Sequence, residues 1–202
     1  MPRLRRAASS KPAAKRRKSI FVSEIVIADG AELRSRLLEQ GLDRDEIVFK
    51  FLWPRYAPPA SAGIRSILKS DHLRQQFERL VEMHRIVPSS VPMPLAAVLN
   101  EDREFVGYIL EYVEGVTLAE IVEAGAFDEA RRQLGRVRQA VRKLHAKSVA
   151  HGDLNGANVI AADDGRTLLI DPVAYAKPQL KLQDELCLEE LERWILVAEP
   201  GS

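Results

Sequence analysis

The chain contains very little cysteine. Cys187 is the only cysteine among its 202 residues, so no disulfide can form within the chain. This excludes the class of small secreted domains held together by disulfides, and it is typical of proteins from a reducing compartment. No uninterrupted apolar run approaches the roughly 18–20 residues of a membrane span. The apolar fraction of 46% is nevertheless ample for a buried core.

Acidic residues are absent from the N-terminal segment. Residues 1–18 hold eight of the 30 basic residues and no acid, so residues 19–202 hold 22 basic and 29 acidic residues. A segment this basic and this rich in Ala, Ser and Pro cannot bury a core, and we expect a disordered tail. The tail either remains solvated or binds an anionic membrane surface, where each basic residue contributes about 1 kcal/mol. Nucleic acid is a less favoured partner.

Strand patterns lie mostly in the N-terminal part of the chain, and helical patterns lie mostly in the C-terminal part. This order is typical of an α+β fold. The predicted strands cover residues 19–28, 46–52, 95–99 and 104–111, with a hairpin over 159–170. The predicted helices cover residues 31–40, 64–87, 117–124, 128–147 and 182–197, with Thr117 and Glu120 as a capping box.

Three polar side chains in the C-terminal half have an informative spacing. Asn158 follows Asp153 by five residues, and Asp171 follows it by 18. One carboxylate can orient or deprotonate a hydroxyl, while a carboxamide oxygen and a second carboxylate can hold magnesium against phosphates. Asp171 also follows the apolar run 168–170, where an unpaired charge would be costly. Together these residues predict a magnesium–phosphate site.

The segment around these residues resembles the catalytic loop and metal-binding strand of the protein-kinase-like superfamily. Residues 151–153, His-Gly-Asp, stand where that superfamily has His-Arg-Asp, and residues 171–173, Asp-Pro-Val, stand where it has Asp-Phe-Gly. Residues 47–52 resemble the strand that carries the phosphate-binding Lys, and residues 108–118 resemble the strand and hinge that hold adenine. The resemblance covers about residues 46–197.

This resemblance implies an α+β, protein-kinase-like bilobal fold with a reduced N-lobe and a very short C-lobe. The implied division is a tail at 1–18, an N-lobe at 19–115 with its hinge at 111–115, and a C-lobe at 116–202. Within the superfamily the chain is most similar to the bacterial lipopolysaccharide core heptose kinases. RIO-like and other minimal atypical kinases are the competing assignment.

The implied function is transfer of the γ-phosphate of ATP, with Mg²⁺, to a hydroxyl of a sugar or lipid-linked acceptor in lipopolysaccharide synthesis. We therefore expect a cytoplasmic protein, with the tail at 1–18 as a potential attachment to the inner face of the membrane. Two alternatives remain open. One is a kinase-fold scaffold with weak or no activity, and the other is a RIO-like kinase that acts on protein.

The resemblance also assigns roles to individual residues. Asp153 would orient or deprotonate the acceptor hydroxyl, and Asn158 and Asp171 would bind magnesium. The backbone groups of Glu111 and Val113 would contact adenine. His151 is expected to shape the loop rather than to transfer protons.

A lysine on the second predicted strand completes the nucleotide site that the resemblance implies. Lys50 would neutralise the α- and β-phosphates and pair with a helix glutamate. Glu78 is the preferred partner, and Glu82, one turn further along the same face, is an alternative that the sequence does not separate.

The sequence also departs from the superfamily pattern. No Gly-x-Gly-x-x-Gly loop precedes Lys50, so the phosphates would be covered less well or by another loop. Gly152 replaces the Arg that reads a phosphorylated activation loop, so we expect no such regulation. Pro172 disfavours the right-handed helical conformation for Asp171, which we therefore expect to be extended. Only 31 residues follow Asp171, which favours a compact acceptor over a protein.

Overall fold

A computed structural model describes residues 23–26, 32, 47–51 and 70–199 of the chain. The predicted tail at 1–18 lies outside the described residues. So do the predicted helix at 31–40, apart from residue 32, and the first six residues of the helix predicted at 64–87.

A four-stranded sheet forms the N-terminal part of the fold. Its strands are β1 (Ser23–Val26), β2 (Ile47–Phe51), β3 (Pro94–Leu99) and β4 (Phe105–Glu111), in the order β1-β3-β4-β2. β1 runs parallel to β3, and the other neighbours are antiparallel. The four predicted strands are confirmed where they are described; residues 19–22 and 27–28 of the first, and 46 and 52 of the second, lie outside the described residues. The parallel pairing of β1 was not predicted, because it depends on a contact between segments far apart in sequence.

Helix α1 (Ser70–Ile86) packs against this sheet. Its buried side chains include Leu73, Phe77 and Leu80, which recur at the spacing of one helical face. The ring of Phe77 stacks on that of Tyr108 in β4, with 5.1 Å between the ring centroids. Burial of each such side chain stabilises the fold by roughly 1.5–3 kcal/mol. This face therefore fixes the helix against the strand that also pairs with β2.

A three-stranded antiparallel sheet follows in the C-terminal part. It consists of β5 (Gly115–Thr117), β6 (Val159–Ala162) and β7 (Thr167–Leu169), in that order. The predicted hairpin is confirmed as β6 and β7. β5 was not predicted. Its glycine packs so closely on the backbone of β6 that a Cβ atom at Gly115 would collide with the carbonyl group of Ala161.

Three helices complete the described chain: α2 (Leu118–Glu123), α3 (Phe127–Ala146) and α4 (Gln179–Ala198). The capping box at the start of α2 is confirmed. Thr117 Oγ1 accepts from the Glu120 N–H at 3.2 Å, and Glu120 Oε2 accepts from the Thr117 N–H at 2.7 Å. α3 packs against α4 and presents a buried apolar face to the core.

The described fold is α+β: a sheet with one helix, then three helices with a smaller sheet. This arrangement is that of a reduced kinase-like bilobal fold, as the sequence predicts. None of the helices in the described ranges combines the length and apolar character needed to cross a bilayer.

Candidate functional site

The β6–β7 hairpin brings two of the predicted site residues together. Val159 of β6 pairs with Leu169 of β7 in antiparallel register, so the residues before β6 and after β7 lie at the same end of the hairpin. The Ile170 N–H donates to the Asn158 carbonyl oxygen at 3.0 Å, which extends the pairing by one step. Asn158 and Asp171 therefore lie at the same end of the hairpin, although separate segments carry them.

Asn158 is also joined to Asp153. Its side-chain Nδ2 donates to the Asp153 carbonyl oxygen at 2.8 Å and to the Asp153 carboxylate oxygen Oδ2 at 3.0 Å. Both bonds use the amide nitrogen, so the amide oxygen of Asn158 is the atom suited to a cation. Asn155 holds this turn, because its Oδ1 accepts from the Ala157 and Asn158 N–H groups. The structure thus joins Asn158 to Asp153 by hydrogen bonds and places Asp171 at the same end of the hairpin as Asn158, with Asp153 exposed to solvent.

In the described ranges, no group of three or more His, Cys, Asp or Glu side chains is arranged so that it could hold a metal ion without other ligands. Mg²⁺ does not need one. It is usually bound by one or two carboxylates together with phosphate oxygens and waters. A carboxylate from Asp171 and a carboxamide oxygen from Asn158 form a donor set of this kind. The residues therefore fit a magnesium ion that arrives with a nucleotide.

His151 connects the catalytic loop to the segment before Asp171. Its ring is fully buried, its Nδ1 accepts from the Asp153 N–H at 3.3 Å, and its Nε2 lies 2.8 Å from the Ile170 carbonyl oxygen. A carbonyl can only accept, so Nε2 carries the proton. Burial lowers the pKa of His151 and outweighs the opposing charge of Asp184. A neutral, fully bonded ring fits the expected role of shaping the loop.

The carboxylate of Asp184, on α4, holds the same loop through the loop's backbone N–H groups. It is fully buried and accepts from the His151 N–H at 2.9 Å and the Gly152 N–H at 2.7 Å. A third contact, at 2.9 Å, comes from Nε2 of His145. Hydrogen bonds to a charged group are the stronger kind. Asp184 therefore fixes the backbone immediately before Asp153.

Sequence reasoning missed Asp184, although the chain contains a signal for it. The buried residues of α4 recur at helical spacing, and the one charged member of that stripe is Asp184. The full set is Leu180, Asp184, Leu188, Leu191 and Ile195. An acid on the core-facing side of a helix requires hydrogen-bond donors, which the loop backbone supplies here.

The backbone explains why glycine stands at position 152. Gly152 has φ +81°, a conformation that side chains with a Cβ rarely adopt. A Cβ atom there would also collide with the Val173 side chain and press on Leu180. The Arg of the usual His-Arg-Asp pattern is therefore excluded by the packing of this loop.

Asp171 is not extended, so that expectation is wrong. Its φ is +55°, in the left-handed region. Pro172 disfavours only the right-handed helical region, and Asp is among the residues that enter the left-handed region most readily. Such a conformation costs about 1–3 kcal/mol in a non-glycine residue and is concentrated at functional sites. The following turn is held by the Val173 N–H, which donates to the His151 carbonyl oxygen at 3.0 Å.

Helix α1 contacts this segment through Gln76. The Gln76 amide Nε2 donates to the Pro172 carbonyl oxygen at 3.0 Å, and its Oε1 accepts from the Tyr108 hydroxyl at 2.9 Å. Tyr108 is fully buried; burial, and secondarily the charge of Asp171, raises its pKa far above the usual value. The hydroxyl therefore stays protonated and donates. Lys50 of β2 lies directly opposite Tyr108 in the sheet register.

The two predicted glutamate partners of Lys50 both lie on α1. Glu78 is exposed, and the carboxylate of Glu82 lies 3.4 Å from the guanidinium of Arg79. The α1 side chain that contacts the site is Gln76, a neutral residue that the expectation of a charged partner did not include. The pairing of Lys50 with Glu78 stays a prediction.

The predicted hinge is tied to both sheets. Glu111, at the end of β4, accepts through Oε1 from Arg166 Nη1 at 2.7 Å and from the Met93 N–H at 3.0 Å. Arg166 precedes β7, so this ion pair spans the two sheets. Residues 112–114, which include Val113, connect β4 to β5 without regular structure. The adenine contacts of Glu111 and Val113 stay predictions.

Comparison with known proteins gives two relatives, and no family model matches the chain. The chain is 24% identical over 144 residues to the KEOPS complex subunit Bud32 of Pyrococcus abyssi, covering 67% of this chain and 65% of that protein. It is 38% identical over 83 residues to a probable bifunctional tRNA threonylcarbamoyladenosine biosynthesis protein of Methanospirillum hungatei, covering 41% of this chain and 14% of that protein. The matches thus span less than two thirds of either relative.

The chain is similar to atypical, RIO-type proteins of the kinase-like superfamily. This similarity agrees with the α+β, kinase-like fold. It gives no support to the heptose kinase family or to a lipopolysaccharide sugar as acceptor. Between the two family assignments that the sequence left open, the relatives favour the RIO-like one.

Proposed function

We propose that this protein is an ATP- and Mg²⁺-dependent atypical kinase that transfers the γ-phosphate of ATP to a hydroxyl group of a protein. The observation that carries the proposal is the bond from the Asn158 amide to the Asp153 carboxylate, with Asp171 at the same end of the hairpin. The similarity to RIO-type relatives supports the same reaction class and favours a protein acceptor over a sugar.

Each residue has a definite part in this reaction. The exposed carboxylate of Asp153 orients the acceptor hydroxyl and takes its proton. The hydroxyl oxygen forms a bond to the γ-phosphorus as the bond from that phosphorus to the β–γ bridging oxygen breaks, and ADP leaves. Asn158 and Asp171 would hold magnesium, which neutralises phosphate charge when bound. Lys50 would neutralise the phosphates from the sheet side.

The direct test is turnover of radiolabelled ATP by the purified chain with protein, sugar and lipid-linked acceptors. We expect transfer to a protein acceptor and a loss of about 100-fold or more in Asp153→Asn. Asp163→Asn is the matched control. Asp163 is exposed on the β6–β7 turn, and its backbone N–H, which the substitution keeps, donates to the Glu114 carbonyl oxygen. Full activity in a folded Asp153→Asn variant would contradict the role of Asp153, and transfer to sugars alone would contradict the acceptor class.

The relatives also suggest what surrounds the reaction. One is named as a subunit of the KEOPS complex, and the other as a tRNA threonylcarbamoyladenosine biosynthesis protein. We therefore propose that this chain works with protein partners in tRNA modification. Affinity purification of the full chain should enrich proteins of that pathway over a bait-free control. Enrichment of lipopolysaccharide-synthesis enzymes instead would contradict this context.

A further inference from the structure

We propose that a second anion site, for a phosphate dianion, lies in a cleft between helix α1 and the start of helix α4. The cleft has a volume of about 360 Å³, and its polar side chains are those of Arg79, Ser148, Lys177 and Lys181. No acidic side chain of the described residues lines it. We call it the basic cleft. Its walls include Ala150, which directly precedes the catalytic loop, so the cleft adjoins the proposed active site without containing its residues.

Arg79 is a buried arginine with little compensation for its charge, which is a first indication of a ligand. Only 8% of its surface is exposed, and its one partner among the described residues is Glu82, whose side chain is 54% exposed and whose Oε2 lies 3.4 Å from Arg79 Nη1. An arginine is rarely buried to this degree unless it is well paired. A single long contact to a solvated carboxylate offsets little of that cost. No buried side-chain nitrogen in the described ranges lacks a partner, so the remaining N–H groups of Arg79 are open to solvent.

The two lysines are the second argument. Lys181 Nζ donates to the His145 carbonyl oxygen at 2.9 Å and to Ser148 Oγ at 3.4 Å, and both acceptors are neutral. Lys177 Nζ lies 4.8 Å from the centroid of the Tyr175 ring. Neither lysine has a carboxylate partner among the described residues. Three cations thus line one cleft that has no acidic side chain in its lining, and an anion bound there would reduce their mutual repulsion.

The shape of the cleft indicates the class of anion. A nucleic-acid backbone needs a stripe of cations that follows successive phosphates. A concave cleft lined by three cations suits one compact dianion, which the planar guanidinium of Arg79 can bind through two N–H groups. A phosphate dianion has this chemistry, whether it is free inorganic phosphate or the phosphate monoester of a phosphorylated side chain.

The position of the cleft gives the site a structural consequence. Arg79 lies one helical turn after Gln76, which holds the Pro172 carbonyl oxygen. Lys177 and Lys181 lie on the chain that continues from Asp171 into α4. A bound phosphate would therefore join α1 to this chain a second time. Gly152 stands where kinases usually have an arginine that binds a phosphate group. The basic cleft would bind a phosphate group with other residues.

The test is a titration of the full chain, without nucleotide, followed by ³¹P NMR and calorimetry. The probes are inorganic phosphate, a phosphoserine peptide and its unphosphorylated twin. We expect inorganic phosphate and the phosphopeptide to bind the unaltered chain. In Arg79→Gln and in Lys177→Gln, the affinity for both probes should fall about tenfold or more. Arg85→Gln is the matched control, because Arg85 is an exposed arginine on the same helix. Its binding should equal that of the unaltered chain.

Several outcomes would overturn the proposal. One is that the unaltered chain binds neither phosphate probe. Another is that the Lys177→Gln variant binds as tightly as the unaltered chain, and a third is that Arg85→Gln loses as much affinity as Arg79→Gln. Lys177 is exposed, so its variant remains informative if Arg79→Gln fails to fold. Binding of a single-stranded RNA oligonucleotide, without binding of either phosphate probe, would assign the surface to nucleic acid instead. Binding of inorganic phosphate but not of the phosphopeptide would restrict the ligand to free phosphate. Because no ATP is present, these outcomes do not depend on the kinase activity.

Discussion

The Gln76 side-chain amide donates a hydrogen bond to the Pro172 carbonyl oxygen, 3.0 Å away, and thereby joins helix α1 to the segment that carries Asp171. The other end of the same amide accepts from the buried Tyr108 hydroxyl. A glutamate at this position could accept but could not donate. The link between helix α1 and the segment after Asp171 therefore requires an amide at position 76, a residue that the sequence analysis did not single out.

Replacement of Gln76 by glutamate tests this link. Gln76→Glu removes the donor to Pro172 and adds a negative charge near Asp171, so we expect Mg²⁺-dependent ATP affinity to fall about tenfold. Calorimetric titration with ATP at fixed Mg²⁺ measures the effect. Gln75→Glu, an exposed neighbour on α1, adds the same charge and should leave the affinity unchanged. Equal affinities in the two variants would contradict the positioning role of Gln76.

Asp184 is expected to dominate the stability of the catalytic loop. Asp184→Ala leaves the buried N–H groups of His151 and Gly152 without their acceptor, which costs about 1–3 kcal/mol for each group. Urea unfolding should therefore show a large loss of unfolding free energy. Glu185→Ala is the control: Glu185 is 54% exposed and pairs with the same histidine, His145. That variant should lose less than about 1 kcal/mol, and similar losses in both would argue against this account.

Two glycines should respond to alanine with opposite signs. Gly152→Ala forces a Cβ into a positive φ and into Val173 and Leu180, so we expect about 1–3 kcal/mol of destabilisation. Gly135 lies on α3, where a Cβ atom would meet nothing within 4 Å. Gly135→Ala should therefore stabilise the protein by about 0.5–1 kcal/mol. Thermal and urea unfolding of both variants measure the signs, and a neutral Gly152→Ala would contradict the packing described for the loop.

Stability should decline in mild acid because of His151. Its pKa in the folded protein lies below the ordinary value, so the unfolded chain binds a proton first as the pH falls. The stabilising contribution is present above about pH 6.5, the ordinary histidine pKa, and is lost below it, by at most about 1.4 kcal/mol for each pH unit. Urea unfolding between pH 7.5 and 5.5 measures this slope. His151→Gln should flatten it, and an unchanged slope would show that another group is responsible.

The elements that the sequence predicted are those with local signals. The capping box of Thr117 and Glu120 acts within one turn, and the β6–β7 hairpin forms around an Asp-Gly turn. The spacing of Asp153, Asn158 and Asp171 was informative for the same reason, because the hairpin fixes the relative positions of the segments that carry Asn158 and Asp171. Local chemistry therefore sufficed to predict that Asn158 and Asp171 lie at the same end of one hairpin.

The residues that were missed act across long separations. Gln76 reaches Pro172, which is 96 positions away in sequence, and Asp184 reaches back to the Gly152 backbone. No local pattern marks an amide as the partner of a distant carbonyl. The left-handed Asp171 was missed because its conformation is imposed by the packed turn and not by Pro172 alone. The support of the site is thus a tertiary property.

The central claim, a magnesium–nucleotide site at Asn158 and Asp171, is tested most directly by calorimetric titration of ATP with and without Mg²⁺. We expect Mg²⁺ to strengthen ATP binding in the unaltered chain and in the control Asp163→Asn. In Asp171→Asn the Mg²⁺ dependence should disappear while the protein remains folded. Equal ATP affinity with and without Mg²⁺ in the unaltered chain, or full Mg²⁺ dependence in Asp171→Asn, would contradict the account.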